Sequence, residues 1–210
     1  MNVWAIIPAR PLEEGKSRLA SALSAAERRR LNEDFFRQTL QTAASVVGTG
    51  RTLAVSRSRT MLQIARTMGV EAALEDAPHG LNEALTQAAG RALAQGADAV
   101  LSLSCDLPFL EAGDVRAMIA AADDGARLAI AGDRAGTGTN ALLMSPPGAI
   151  PYLYGPDSFS RHADAARAAG IAMTVVRRPG LAFDVDTPDD VEQMEEIGRE
   201  QTRSPLHMAG

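Results

Sequence analysis

The chain has 210 residues, 46% of them apolar and 22% charged, with a formal net charge of -5. That length supplies the core of one ordinary domain and is short for two, and the composition excludes a collagen-like repeat, a coiled coil and wholesale disorder. No apolar run reaches the roughly 18 residues of a membrane helix, Pro8 and Arg10 interrupt the first apolar stretch, so no signal peptide is expected, and there is no basic excess to drive nonspecific nucleic-acid binding.

The apolar pattern alternates between short continuous runs and a helical period. Val3 to Pro8 is apolar throughout, as a central parallel strand is, and a loop from Ala9 to about Leu23 follows it. Ser24 with Glu27 three positions later reads as a capping box opening a helix to about Val46, with Leu31, Phe35, Leu40 and Val47 as its inward stripe. Thr52–Ser56 is a strand, Thr60–Met68 a helix stopped by Gly69, Val70–Leu74 a strand, and Asn82–Ala94 a helix closed by Gly96. Ala99–Leu103 is the most apolar strand and delivers Ser104-Cys105-Asp106-Leu107-Pro108 at its end. Gly113–Ala122 reads as a helix, Leu128–Ala131 and Asn140–Met144 as strands, Ser158–Ala169 as a helix, Ala172–Val176 as a strand, and Thr187 to about Arg199 as a final helix. Residues 1–200 are therefore expected to form one α/β domain, a three-layer sandwich on a mostly parallel sheet, with 201–210 as a frayed tail. Ligands of such sheets bind beyond the carboxyl ends of the strands.

Those ends carry the chemistry. Of the 21 basic residues one alone is lysine, Lys16, and it stands in the loop after the first strand with Arg10, Arg18 and Gly15. Cations and main-chain amides converging there suit a phosphate, whereas the same loop is equally readable as a solvated basic turn. It is neither a P-loop nor a dinucleotide fingerprint, because the glycine spacings of both are absent. Asp106 ends the strongest strand. Phe183-Asp184-Val185-Asp186 puts two carboxylates on one side of an extended segment. Three clustered carboxylates call for a cation, and oxygen ligands suit Mg2+. Asp189 and Asp190 are explained by the start of the last helix. The Gly132–Asn140 loop, rich in glycine and threonine, is a flexible turn or a cradle for phosphate or carboxylate, and Asp157 or Ser158 either only caps the next helix or brings an anion to its N-terminus, where His162 one turn on would face the same ligand. His79 and His207 read as loop and tail residues. Cys105 has no partner for an internal disulfide, which fits a reducing cytoplasm, and no base beside it to make it a nucleophile.

In order along the chain stand Ile7-Pro8-Ala9-Arg10-Pro11, Lys16-Ser17-Arg18-Leu19, Gly80-Leu81-Asn82, Asp106-Leu107-Pro108, Gly136-Thr137-Gly138-Thr139-Asn140, Gly155-Pro156-Asp157-Ser158 and Pro179 to Pro188 with its Asp184-Val185-Asp186. The ordered series, over residues 3–191, resembles the phospholactate guanylyltransferase family of coenzyme F420 biosynthesis, within the nucleotidyltransferases of glycosyltransferase-A-like fold. The resemblance implies condensation of GTP with a three-carbon phospho-acid (2-phospholactate, phosphoenolpyruvate or 3-phosphoglycerate), release of pyrophosphate, and hand-over of a labile product to the next enzyme, with neither nucleic acid nor membrane as partner. It implies Lys16 and Asp106 as catalytic residues, and Pro8, Ala9, Arg10, Lys16, Ser56, Leu81 and Asn82 about the nucleotide. It further implies Thr139, Gly155 and Ser158 about the acid, and Asp106, Asp184 and Asp186 as ligands of Mg2+. The family often has lysine where this chain has Arg10, which replaces a point charge with a planar fork. Two other readings stay open here: a molybdopterin guanylyltransferase or cytidylyltransferase on the same fold, and a non-catalytic GTP-binding regulatory module.

Overall fold

The computed structural model describes residues 1–75, 80–123 and 127–203. His79 and His207, and all but the first three residues of the expected tail, lie outside them. In chain order the elements are β1 (Val3–Pro8), α1 (Ala25–Val47), β2 (Thr52–Ser56), α2 (Arg59–Thr67), β3 (Glu71–Leu74), α3 (Leu81–Ala94), β4 (Ala99–Leu103), α4 (Ala112–Asp123), β5 (Leu128–Gly132), β6 (Thr139–Met144), α5 (Ser158–Ala168), β7 (Met173–Val175), α6 (Pro179–Ala182) and α7 (Pro188–Arg203). Short 3-10 turns at Ser17–Ser21 and Thr49–Arg51 stand outside the expected pattern. The capping box of α1 is present in both halves: Ser24 Oγ accepts from Glu27 N at 3.3 Å and Glu27 Oε2 from Ser24 N at 2.8 Å.

The strands form one sheet in the order β3-β2-β1-β4-β6-β5-β7. Only β6 runs against the others, pairing antiparallel with both β4 and β5. Alternate residues of β1 feed two apolar layers. Val3, Ala5 and Ile7 pack with Phe36 and Leu40 of α1 and Met118 of α4, while Trp4 and Ile6 pack with Leu85 and Ala89 of α3 and Ala166 of α5. The result is the three-layer sandwich. From β1 the chain builds outwards through β2 and β3, then crosses back by way of α3 to place β4 on the other side of β1. Sheet order reverses between β1 and β4, and a crevice opens beyond their carboxyl ends.

A third apolar cluster, Leu19, Phe35, Phe183, Val185 and Val191, lies under that crevice. Phe183 and Val185 are buried, so the alternating Asp184 and Asp186 face the other way. This strap is held close to β4 by Val185 N, which donates to Asp106 O at 3.2 Å. It enters through α6, where Gly180 lies so close to the Asp114 carboxylate and the Phe109 carbonyl that a Cβ would overlap both. Gly180→Ala is therefore expected to cost about 1–3 kcal/mol by overpacking, a fall of several degrees in Tm in thermal unfolding; an unchanged Tm would contradict this packing.

Candidate active site

Beyond β1 and β4 lies a cavity of about 630 Å³ whose wall includes Pro8, Ala9, Arg10, Lys16, Leu81, Asp106 and Asp186. Its floor is set by the strand ends: Ala9 N donates to Val55 O of β2 at 2.8 Å, so the basic loop leaves the sheet at a fixed point. Lys16 has φ 58 and ψ 36, a left-handed conformation that costs a non-glycine residue on the order of 1–3 kcal/mol. The turn that follows, anchored by fully buried Leu19, holds it there.

The Lys16 side chain is only 6% exposed, and its Nζ lies 2.9 Å from Asp106 Oδ2 and 3.4 Å from Asp186 Oδ1 while also donating to the Val185 carbonyl. Burial alone would push its pKa down, but the Asp106 carboxylate, with Asp186 behind it, more than offsets that and holds the pKa above the ordinary lysine value. Lys16 is thus a fixed positive charge. Asp184 moves the other way: burial, then the neighbouring charge of Asp106, push its carboxyl up to about 6. Asp186 is presented by Asp190, whose Oδ2 accepts from Asp186 N at 2.9 Å, Thr187 N at 2.7 Å and Thr187 Oγ1 at 2.8 Å. Arg134 braces this cap, pairing with Asp190 and lying 4.0 Å over the Phe183 ring.

The three aspartates are neighbours and not a closed cage. Among the described residues no three His, Cys, Asp or Glu side chains converge as ligands of one ion, because the Lys16 ammonium stands between Asp106 and Asp186. The donor set nevertheless fits a hard divalent cation, since Asp106 Oδ1 is buried with no hydrogen-bond partner and buried carboxylate oxygen is a ligand that such ions prefer.

The structure does not bring every expected residue to the cavity wall. Ser56 is buried at the end of β2, where its Oγ accepts from Ser58 N at 3.0 Å. Asn82 is turned to the main chain of Tyr154, accepting from its N at 2.8 Å and donating to its O at 3.1 Å. Its amide ties the start of α3 to the loop before α5, and Leu81 alone of the pair faces the cavity. The Gly136–Thr139 amides are not an open cradle either, for Asp133 accepts from Thr137 N at 2.8 Å and Gly138 N at 2.9 Å. Thr139, Gly155 and Ser158 lie outside this cavity wall, as does Asp184. Thr139 and Ser158 meet in a buried pair, Ser158 Oγ donating to Thr139 Oγ1 at 3.2 Å. Asn140, next to Thr139, links that pair to Asp184, with which its side chain hydrogen-bonds, while its carbonyl accepts from Ser104 N at 2.8 Å and its amide donates to Leu181 O at 3.0 Å.

Arg57 and Glu14, which face each other as an ion pair, also line the cavity, as does Gly80, whose φ of 96 turns the chain into α3. Arg57 follows the last residue of β2, so the strand-end rule that singled out Arg10 extends to it. Cys105 borders the cavity too, but burial, then the charge of Asp106, push its thiol up to about 12, which keeps it protonated and inert. His162 is fully buried. Burial, then the charge of Arg161, lower its pKa from 6.5 to about 4. The unfolded chain takes up a proton between those values and the folded chain does not, so this stabilisation is complete above pH 6.5 and is lost as pH falls towards about 4. Between about pH 7 and 4.5 the Tm of His162→Asn is expected to fall less than that of the wild type; parallel curves would contradict it.

Solved structures of the same shape define the class. A protein from Desulfovibrio desulfuricans G20 described as a nucleotide-diphospho-sugar transferase superposes with a TM-score of 0.78 at 16% identity, covering 100% of this chain and 91% of its own. CMP:2-keto-3-deoxy-manno-octonic acid synthetase, solved with CTP, superposes with a TM-score of 0.64 at 13% identity, covering 96% of this chain and 100% of its own. The fold is that of the nucleotidyltransferases. Residues 3–204 match the family described as guanylyl transferase CofC like. A phosphoenolpyruvate guanylyltransferase of Rubrobacter xylanophilus is 40% identical over 97% of this chain and 98% of its own length. The chain belongs to the guanylyl transferase CofC-like family and is a guanylyltransferase.

Proposed function

We propose that the chain transfers GMP from GTP to a phosphorylated three-carbon acid, phosphoenolpyruvate being the first to test because relatives across the whole chain carry that name. The observation that carries this reading is Lys16, a permanently charged ammonium fixed between Asp106 and Asp186 on the wall of a cavity at the switch point of the sheet. A volume of about 630 Å³ suits a nucleotide. Lys16 and Arg10 neutralise the triphosphate, Leu81 offers apolar surface to the base, and Thr139, Gly155 and Ser158 hold the acid near the aspartates.

The acceptor needs no base. Its phosphate is already largely ionised at neutral pH, the second pKa being about 6, which accords with a site whose histidine is buried and neutral and whose cysteine is protonated. An acid oxygen attacks the α-phosphorus of GTP in line, a P–O bond forms, and pyrophosphate leaves with the bridging electrons. Lys16 stabilises the charge that develops on the leaving group. Asp106, Asp184 and Asp186 would hold Mg2+, which when bound supplies further charge neutralisation at the phosphates. The product sets a phosphoanhydride beside a carboxylate, an arrangement prone to self-cleavage, so direct hand-over to the next enzyme is advantageous. A GTP-using reaction and a single cysteine suit the cytoplasm, and among the described residues no helix is long and apolar enough to cross a membrane.

Pyrophosphate release measured with each nucleoside triphosphate and phosphoenolpyruvate tests the reading. GTP is expected to be preferred; preference for CTP would move the chain to the cytidylyltransferases, and binding of GTP without release for any acid would make it a regulatory module.

A further inference from the structure

We propose that His162 is a positioning residue for the phospho-acid, holding Thr139 so that its hydroxyl proton is the one donor of a buried trio left for the acid's anionic oxygen. The inference rests on the reading above that Thr139 and Ser158 hold the acid.

The ring of His162 on α5 is 0% exposed, and both nitrogens are engaged. Nε2 lies 2.9 Å from Leu153 N, whose N–H can only donate, so Nε2 is the unprotonated nitrogen. A neutral imidazole then carries its proton on Nδ1, which lies 3.1 Å from Thr139 Oγ1. Burial and the nearby charge of Arg161 keep the ring neutral, and its single N–H, on Nδ1, is shared between Thr139 Oγ1 and the Ser158 main chain. Thr139 Oγ1 thus accepts from the ring and, at 3.2 Å, from Ser158 Oγ. With both lone pairs occupied, a hydroxyl has only its proton left to give. Among the described residues no group accepts it. Asp157, in the left-handed region at φ 54, starts α5 and fixes Ser158 at its first position, and the Tyr154 ring packs edge-on against His162 at 5.1 Å. The donors run from the Leu153 main chain through the imidazole on one side and from the Ser158 hydroxyl on the other, and both converge on Thr139 Oγ1.

The two amide replacements divide the ring's two bonds. Glutamine reaches the Nε2 position and keeps the partner of Leu153 N, whereas asparagine reaches the Nδ1 position and keeps the donor to Thr139. At saturating Mg2+-GTP, H162Q is expected to raise the KM for phosphoenolpyruvate about tenfold, the size of a lost hydrogen bond to a charged group, with the KM for GTP and the kcat within about twofold; H162N recovers most of the loss. Long-range 1H–15N spectra of the full chain at neutral pH, assigned by the signal absent from H162Q, are expected to show a protonated Nδ1 and a bare Nε2. An Nε2-protonated ring, an unchanged KM in H162Q, or equal losses in H162N and H162Q would overturn the inference. T139V separates it from the reading beneath it. A raised acid KM in T139V with a normal one in H162Q overturns the positioning role alone, while an unchanged acid KM in T139V removes Thr139 from the acid site and overturns both.

Discussion

Lys16→Met is expected to lower kcat for guanylyl transfer by about 10²–10³-fold, the usual cost of removing one preorganised group that stabilises developing charge. Methionine keeps the length and apolar stem of the side chain and removes only the ammonium. The loss should fall mainly on kcat, because Lys16 is already fixed by Asp106 at 2.9 Å, Asp186 at 3.4 Å and a left-handed backbone, and needs no reorganisation as the reaction proceeds. Asp106 is 23% exposed at its side chain, so water can partly compensate it when its partner goes, and the variant is expected to fold with a lowered Tm. Lys16→Arg should not restore the rate, since a planar fork cannot occupy the space of a point charge bonded to two carboxylates and a carbonyl. Steady-state rates at saturating GTP and acid decide the matter, and a kcat within threefold of the wild type would take Lys16 out of the mechanism.

Asp106→Asn is expected to reduce turnover at least as far, by about 10³-fold. The substitution preserves volume but affects two partners at once. Lys16 loses the carboxylate that offsets its burial, and the buried, unpartnered Oδ1 that suits a divalent cation belongs to an amide instead of a carboxylate. The fold is expected to persist, because the strap is held to this segment through the main chain, Val185 N to Asp106 O, and not through the side chain. Turnover and circular dichroism together test this: a folded variant with full rate would remove Asp106 from catalysis, and an unfolded one would make its role structural.

Much of the architecture was legible because its signals are local. The continuous apolar run of β1, the capping box at Ser24 and Glu27, and the alternation at Phe183–Asp186 each specify structure within a few residues, and each is present. The reversal of β6 was not legible, for Thr139–Met144 is fully buried and reads the same in either direction; only its pairing with β4 and β5 sets its sense. At the site, residue type pointed to Lys16, Asp106 and Asp186, which do meet. It could not tell a side chain facing a ligand from one consumed by the fold, as Ser56 and Asn82 are. Nor could it foresee Asp133 taking up the amides of its own loop, or His162 turning inwards, since both depend on how a turn closes and not on which residues it contains.

Guanylyl transfer to a phospho-acid leaves its signature in the mass of the product. The direct measurement is mass spectrometry of a reaction holding the protein, GTP, Mg2+ and, in turn, phosphoenolpyruvate, 2-phospholactate and 3-phosphoglycerate, quenched early and assayed in parallel for pyrophosphate. For at least one acid a new species is expected with the mass of GTP plus acid less pyrophosphate, formed one for one with pyrophosphate and absent with Asp106→Asn. Pyrophosphate formed without a linked nucleotide, or no reaction with any of the three, would contradict it.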